Sequence, residues 1–317
     1  MKFTRKNLLL HKLILVDGVG RSGKVMLAEI LTGFQRVEKQ DYNEFFEYIP
    51  LAYKYNKISK DIAISILRTQ MDTELYKSMI GRSINTRPSD YTSLYKYHSP
   101  EKYLKRQIDE DGPIIASKVL NEKPIYLNWC HDMIQKSDII FEAFNDKVTL
   151  IYINRHPVDI IYEWNLKKFG ERVANDSTEM QYLIEFNENV VPELALGWEE
   201  EYIKINSFER VVKMIYISFK RNLEAIEKLN TKNNIKIVDF EDLVTKTDKS
   251  IEDISQYLNL KPLNIMNNIL QKENCPRVLD DKDRAVRKKN IVNKISEKYI
   301  IYLDEIIEMY KKISLYK

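Results

Sequence analysis

Residues 13–31 read LILVDGVGRSGKVMLAEIL, in which an apolar run meets a glycine-rich segment that opens an amphipathic stretch. The apolar run predicts a strand over 13–17, and the later spacing of apolar residues predicts a helix over 24–33. Glycines between them allow a tight turn whose backbone approaches an anion without a Cβ in the way. Successive N–H groups and the positive end of a helix then converge on that anion. The stretch therefore predicts a phosphate-binding loop.

The loop matches most of a nucleotide-binding signature. Gly18, Gly23 and Lys24 satisfy the Gly-x-x-x-x-Gly-Lys spacing, but the Ser or Thr that should follow the lysine and hold magnesium is Val25. A strand–turn–helix joint with coincidental glycines is the alternative interpretation. The loop predicts a bound phosphate ester and leaves the identity of that ester open.

Composition excludes several classes of protein. The 317 residues are 44% hydrophobic and 31% charged, which favours a folded domain with a real core over a disordered chain. The net charge of +3 gives no general case for a nucleic-acid partner. Cys130 and Cys275 form no Cys-x-x-Cys, so neither a disulfide scaffold nor a metal site is expected. No segment reads as a membrane span, and a cytoplasmic location is the expectation.

Strand and helix patterns alternate along the whole chain, which predicts a parallel sheet with right-handed crossovers. We expect an α/β fold with a central parallel sheet flanked by helices, in one domain over 1–317. After the first strand and helix, strands are predicted over 35–39, 114–116, 147–153 and 235–238, and helices over 122–136, 158–168, 208–229, 248–258 and 293–313.

Four segments in order resemble the sulfotransferase family, a branch of the P-loop fold. A basic cluster over 284–289, expected to be a loop, and a last helix also fit the ending of that family. The four segments are the glycine loop GVGRSG at 18–23, Ser117-Lys118 after a short strand, FNDKVTLIYINRHPVD at 144–159, and IVDFEDLV at 237–244 before a helix.

The resemblance implies a chemistry and a co-substrate. Members of the family move a sulfuryl group from 3′-phosphoadenosine 5′-phosphosulfate (PAPS) to a hydroxyl or amine, by an in-line displacement like phosphoryl transfer. Arg21 would clamp the 5′-phosphosulfate and take part in catalysis, and Lys118 would stabilise charge in the transition state.

The resemblance also implies further contacts with the co-substrate. The rest of the loop, Gly20, Ser22, Gly23, Lys24 and Val25, would bind the 5′ group through its backbone and side chains. Arg155, at the end of a central strand, would hold the 3′-phosphate. Arg287 and Lys288 are candidate additional ligands of that phosphate, with a solvated basic loop as the alternative.

Two positions depart from the family pattern. Lys24-Val25 stands where the family has Thr-Thr or Ser-Thr, so hydroxyl ligands of phosphate are lost. Glu163 occupies the position of a serine that contacts the 3′-phosphate. A carboxylate facing that dianion is repelled unless it is protonated or turned away.

The acceptor needs a base, and the sequence offers several carboxylates and histidines. Glu44 lies where the family places a glutamate, and we predict it as the base, with Glu47 one turn later. The alternative for each is an exposed helix carboxylate. His98 and His131 have no evident partner and are predicted to be structural.

The leading interpretation is a sulfotransferase-like enzyme that uses PAPS and no metal. Its acceptor would be a hydroxyl of a sugar, lipid or small metabolite, and its oligomeric state is open. A nucleoside-triphosphate-dependent kinase is one alternative, for which Asp239 is the only candidate magnesium ligand after a strand. A catalytically silent P-loop protein that binds or assembles is another.

Overall fold

The predicted first strand lies inside a four-stranded parallel sheet. The computed structural model describes residues 1–82, 84–179, 181–229 and 234–317. The sheet has the strand order β2-β1-β3-β6, and every neighbouring pair is parallel. The strands are β1 Lys12–Asp17, β2 Ile125–Trp129, β3 Val148–Asn154, β4 Leu183–Phe186, β5 Asn189–Pro192 and β6 Ile235–Asp239, of which β4 and β5 form a separate antiparallel hairpin.

Helices follow the strands and cover both faces of the sheet. They are α1 Lys24–Leu31, α2 Phe45–Lys54, α3 Lys60–Met79, α4 Pro100–Arg106, α5 Pro113–Glu122, α6 Asp138–Phe144, α7 Pro157–Leu166, α8 Phe169–Arg172, α9 Glu199–Lys204, α10 Ser207–Leu229, α11 Phe240–Thr245, α12 Thr247–Leu258, α13 Met266–Lys272, α14 Asp281–Val292 and α15 Glu297–Ser314. The predicted α/β fold with a central parallel sheet flanked by helices is confirmed. One domain over 1–317 stays a prediction.

The two large hydrophobic clusters of the core lie one on each face of the sheet. Leu13 and Leu15 belong to one cluster, and Ile14 and Val16 belong to the other. Side chains alternate between the faces of a strand, so a strand buried on both faces reads as a continuous apolar run. This burial explains why β1 and β3 could be recognised from sequence.

Several predicted elements are wrong. Residues 114–116 are not a strand, because Pro113 opens helix α5 there. The predicted helix over 122–136 contains β2, and the predicted strand over 35–39 contributes only an isolated bridge at Val37. The basic cluster over 284–289 lies in helix α14 and not in a loop.

The carboxyl ends of β1, β2, β3 and β6 meet at one edge of the sheet. In a parallel sheet this edge is where ligands bind, because the loops that leave the strands converge there. None of the helices in the described part of the chain combines the length and the apolar character that a membrane crossing needs.

Candidate active site

The glycine loop joins β1 to α1 at this edge and needs glycine for steric reasons. Gly23 has φ +99°, and a Cβ there would lie 2.6 Å from the ring of Phe240. A Cβ on Gly20 would lie 3.2 Å from the indole of Trp164, whose Nε1–H also donates to the carbonyl of Gly20 at 2.9 Å. The two aromatic rings therefore hold the loop, and its glycines leave the backbone open to a ligand.

The loop holds a buried hydroxyl and a buried cation. The Ser22 side chain is only 1% exposed, and its Oγ has no hydrogen-bond partner among the described residues. An unpaired buried hydroxyl is costly, which favours a ligand that accepts from it. Lys24 is 3% exposed and donates to the carbonyls of Val19 at 3.2 Å and Gly18 at 3.4 Å. Burial lowers the pKa of Lys24.

Arg21 is paired across the mouth of the loop. Its φ is +70°, and its exposed guanidinium lies 2.9 Å from the carboxylate of Glu163 on α7. Glu163 thus sits in the site as the sequence placed it, but it is bound to the cation that the resemblance assigns to the ligand. An incoming anion would compete with Glu163 for Arg21.

Arg155 follows β3 directly and connects with the loop. Its Nη1 donates to the carbonyl of Arg21 at 2.7 Å, and its guanidinium lies 4.4 Å from the centre of the Phe240 ring. Its Nε is buried and has no partner within the described residues. Burial lowers the pKa of Arg155, a sign of incomplete compensation of its charge.

A second guanidinium, which the sequence did not single out, lies against the same ring. Arg277 is 5.2 Å from the centre of the Phe240 ring, and its backbone N–H donates to the carbonyl of Val244 at 2.7 Å. Arg277 depresses the pKa of Arg155 further, although burial is the larger cause. Two like charges around one ring favour an anion between or beside them.

The other predicted ligands of the 3′-phosphate have their charges engaged elsewhere. Arg287 donates to Asp159 at 2.8 Å, and Lys288 pairs with Asp304 at 2.9 Å. Arg284 also contacts Asp159, at 3.0 Å. These pairs join α14 to α7 and α15. Sequence proximity within a basic cluster therefore did not indicate a shared anion site.

Lys118 lies in a different environment from the one predicted. It is on helix α5 and not after a strand, and its Nζ pairs with Asp109 at 3.0 Å. Lys118 was expected after a strand because residues 114–116 were predicted to form one. The residues that follow the true second strand, β2, are 130–132.

His131 lies just after β2 and forms a pair with a glutamate. Its ring Nδ1 and its backbone N–H both bond to Oε1 of Glu47, at 2.9 Å and 2.8 Å. Burial alone raises the pKa of Glu47, but the bonds from His131 outweigh burial and the pKa is lowered. Since the carboxylate is an acceptor, Nδ1 carries the hydrogen that this bond uses, and Nε2 is the ring nitrogen that does not contact Glu47. Glu44, the predicted base, lies exposed immediately before α2.

The His131–Glu47 pair opens on a cleft beside the loop. Gly20, Arg21, Glu47 and His131 line this cleft, whose volume is about 330 Å³. A histidine that is oriented by a carboxylate is the usual arrangement of a general base. The cleft therefore brings together a loop for an anion and a base for a second substrate. No cluster of three or more potential metal ligands occurs within the described residues.

Comparisons with known proteins gave matches only among solved structures. No protein-family model matches this chain, and no curated protein matches it. A sulfotransferase domain from the Synechococcus PCC 7002 olefin synthase is 12% identical, with a TM-score of 0.48, over 99% of this chain and 98% of that one. A mouse sulfotransferase complexed with PAP is 11% identical, with a TM-score of 0.43, over 99% and 91%. A sulfotransferase domain from the curacin pathway is 14% identical, with a TM-score of 0.45, over 85% and 78%.

Proposed function

We propose that this chain is a sulfotransferase-like enzyme that moves a sulfuryl group from PAPS to a hydroxyl. The observation that carries the proposal is the presence of two separate cationic positions around one loop. Arg21 and Lys24 belong to the loop itself, and Arg155 and Arg277 lie against Phe240. A donor with anionic groups on both its 5′ and its 3′ side matches two such positions.

Each part of the donor has candidate ligands. The loop N–H groups, the unpartnered hydroxyl of Ser22 and the ammonium of Lys24 would bind the 5′-phosphosulfate. Arg155 and Arg277 would bind the 3′-phosphate. Orphaned polar atoms at Ser22 and Arg155 fit a ligand rich in acceptor oxygens. Arg287, Lys288 and Lys118 are not among the proposed ligands, because each is paired with a carboxylate elsewhere.

His131 is the proposed base in place of Glu44. Its Nε2 would take the proton of the acceptor hydroxyl as the oxygen attacks sulfur, and Glu47 would stabilise the imidazolium that forms. Sulfur bonds to the acceptor oxygen as its bond to the bridging phosphate oxygen breaks. The two electrons of the broken bond stay with the phosphate, where Lys24 and the loop N–H groups oppose the new charge.

The kinase alternative is weakened by the surroundings of Asp239. Oδ1 of Asp239 accepts from Ser314 at 2.8 Å and from Asn154 at 3.2 Å, and Oδ2 pairs with Lys317 at 2.5 Å. The candidate magnesium ligand is thus already bound by three side chains. A silent binding protein is disfavoured by the His131–Glu47 pair, since binding alone requires no oriented base.

Calorimetry distinguishes these functions. We expect 3′,5′-adenosine bisphosphate (PAP) to bind with a micromolar or lower Kd without added metal. Binding of ATP only with magnesium would favour the kinase, and binding of neither nucleotide would contradict both enzymes. His131→Gln serves as the matched variant, because it alters the base and leaves the anion loop unchanged, so its affinity for PAP should equal that of the unmodified chain.

A further inference from the structure

Lysines mark the edge of the sheet at which its parallel strands begin, opposite the edge that holds the candidate active site. Lys12 is the first residue of β1, Lys147 directly precedes β3, and Lys123 lies two residues before β2. In the sheet, β1 lies between β2 and β3. Since neighbouring strands are about 4.8 Å apart, the three lysines start from adjacent positions along one line.

Two further basic residues extend this line. His11 directly precedes Lys12, and Arg36 lies on the outer side of β2, where its carbonyl accepts from the N–H of Ile125 at 2.8 Å. Burial lowers the pKa of His11, and the charges of the other four basic groups lower it further. All of them are thus close enough to act on one imidazole. We call the five residues the basic row: His11, Lys12, Arg36, Lys123 and Lys147.

No carboxylate in the described part of the chain forms an ion pair with the basic row. The charges that act most strongly on His11 are all cationic. Glu122, which precedes Lys123 in the sequence, lies 3.8 Å from Arg106 instead. Asp146, which precedes Lys147, is exposed and makes no ion pair with the row. The basic cluster of α14 differs in this respect, because its two arginines and Lys288 are each paired with a carboxylate.

The members of the row differ in their exposure. Arg36 and Lys123 are exposed, whereas His11, Lys12 and Lys147 are half-buried. Lys147 Nζ donates one of its hydrogens to a backbone carbonyl at 2.9 Å, and burial lowers the pKa of Lys12. A half-buried cation has lost part of its hydration, and neighbouring cations repel it further. A bound anion relieves both costs.

The shape of the row indicates which kind of anion fits it. Arg36 and Lys147 are separated by three strand spacings, roughly 14 Å, so a single phosphate meets only part of the row. A flat lipid surface would meet chiefly the two exposed members. The row contains no aromatic ring on which the bases of a single-stranded nucleic acid could stack. A narrow chain of linked phosphates can lie along the whole row and reach its half-buried members.

We propose that the basic row is a second anion site of this protein and that it binds a linear polyphosphate. The row shares no residue with the candidate active site and lies at the other edge of the sheet. The proposal therefore stands independently of the proposed function.

Titration calorimetry with long-chain inorganic polyphosphate, at low and constant ionic strength, tests the proposal. The unmodified chain should bind this probe with a micromolar Kd. The double variant Arg36→Gln/Lys123→Gln should bind it roughly twentyfold more weakly, since each basic residue beside an anionic ligand contributes about fivefold. The control is Lys282→Gln/Lys289→Gln, which removes the same charge from two exposed lysines of α14 and should keep the Kd within about twofold.

A second variant keeps the test independent of the folding of the first. Lys147→Gln should weaken the binding of polyphosphate about fivefold, and urea unfolding measures whether each variant is folded. Absence of polyphosphate binding, equal losses in the two double variants, or a folded row variant that binds like the unmodified chain would overturn the proposal. Tighter binding of poly(U) or of phosphatidylserine vesicles, lost in the row variants, would overturn it in favour of a nucleic acid or a membrane.

Discussion

Arg21 Nη2 lies 2.9 Å from Glu163 Oε2, so the exposed cation of the loop is held by a carboxylate of helix α7. The pair explains how a glutamate is tolerated beside a site for anions. It also means that a bound donor must either displace Glu163 or share Arg21 with it.

Removal of this carboxylate should strengthen donor binding. Glu163→Gln frees Arg21 and removes a repulsive charge, so PAP should bind roughly three- to tenfold tighter, in keeping with the modest strength of exposed ion pairs. Titration calorimetry measures the change. Glu142→Gln, which breaks the exposed pair with Lys60, is the control and should leave the affinity unchanged. Unchanged or weaker binding in Glu163→Gln would show that Arg21 does not meet the donor.

The base should affect turnover and not donor binding. His131→Gln should lower kcat for sulfuryl transfer to an acceptor hydroxyl by about a hundredfold or more, as loss of a general base does. Glu47→Gln should lower kcat less, because the imidazole stays in place. His98→Gln, which alters a histidine bonded to the carbonyl of Thr32, should keep kcat. A kcat for His131→Gln close to that of the unmodified enzyme would reject His131 as the base.

The loop should be sensitive to a single methyl group at Gly23. Gly23→Ala combines a φ of +99° with a Cβ 2.6 Å from the Phe240 ring, and it should lower the free energy of unfolding by on the order of 3 kcal/mol. Gly197→Ala has a similar φ of +89° but meets no atom within 4 Å, so its cost should be about 1 kcal/mol. Urea unfolding compares the two variants. Equal losses would mean that the contact with Phe240 does not constrain the loop.

Stability should fall in mild acid because of His156. Burial, with Arg284 nearby, lowers its pKa from 6.5 to about 4, and its Nδ1 accepts from the N–H of Val158 at the start of α7. The unfolded chain takes up this proton first, so the free energy of unfolding decreases as the pH falls from 6.5 toward 4.

His156→Asn should remove most of this acid sensitivity. Asparagine still accepts from the Val158 N–H but does not titrate, so its loss of unfolding free energy between pH 7 and pH 4.5 should be smaller than that of the unmodified chain by on the order of 2 kcal/mol. Urea unfolding at the two pH values gives the difference. His98→Asn is the control, and identical pH dependence in all three proteins would contradict a neutral buried His156.

The fold was predictable where burial on both faces leaves a clear pattern. β1 and β3 are apolar runs at the centre of the sheet, β6 is a short and mostly apolar run at its edge, and α10 has a strongly amphipathic sequence. Strand β2 was missed because its sequence, IYLNW, is interrupted by the polar Asn128. The segments on either side of it also have the spacing of apolar residues that is typical of a helix. The short run at 114–116 gave no way to distinguish a strand from the first turn of a helix.

Those parts of the candidate site that a local sequence motif encodes were predictable. The glycine loop and Arg155 lie together as the local sequence indicated. His131 and Glu47 are separated by 84 residues, so only the fold shows their pairing. Arg277 likewise meets Arg155 through a shared contact with Phe240, which no local spacing encodes. Because strand β2 was missed, the sequence also did not show that His131 follows the carboxyl end of a parallel strand.

The direct test of two anion positions is the preference for a 3′-phosphate. Calorimetry should show that PAP binds about a hundredfold tighter than AMP, and that Arg155→Ala and Arg277→Ala each remove most of this preference. Arg287→Ala should retain it, because Arg287 is paired with Asp159. Equal affinity of the unmodified chain for PAP and AMP, or a preference that survives both Arg155→Ala and Arg277→Ala, would contradict the account.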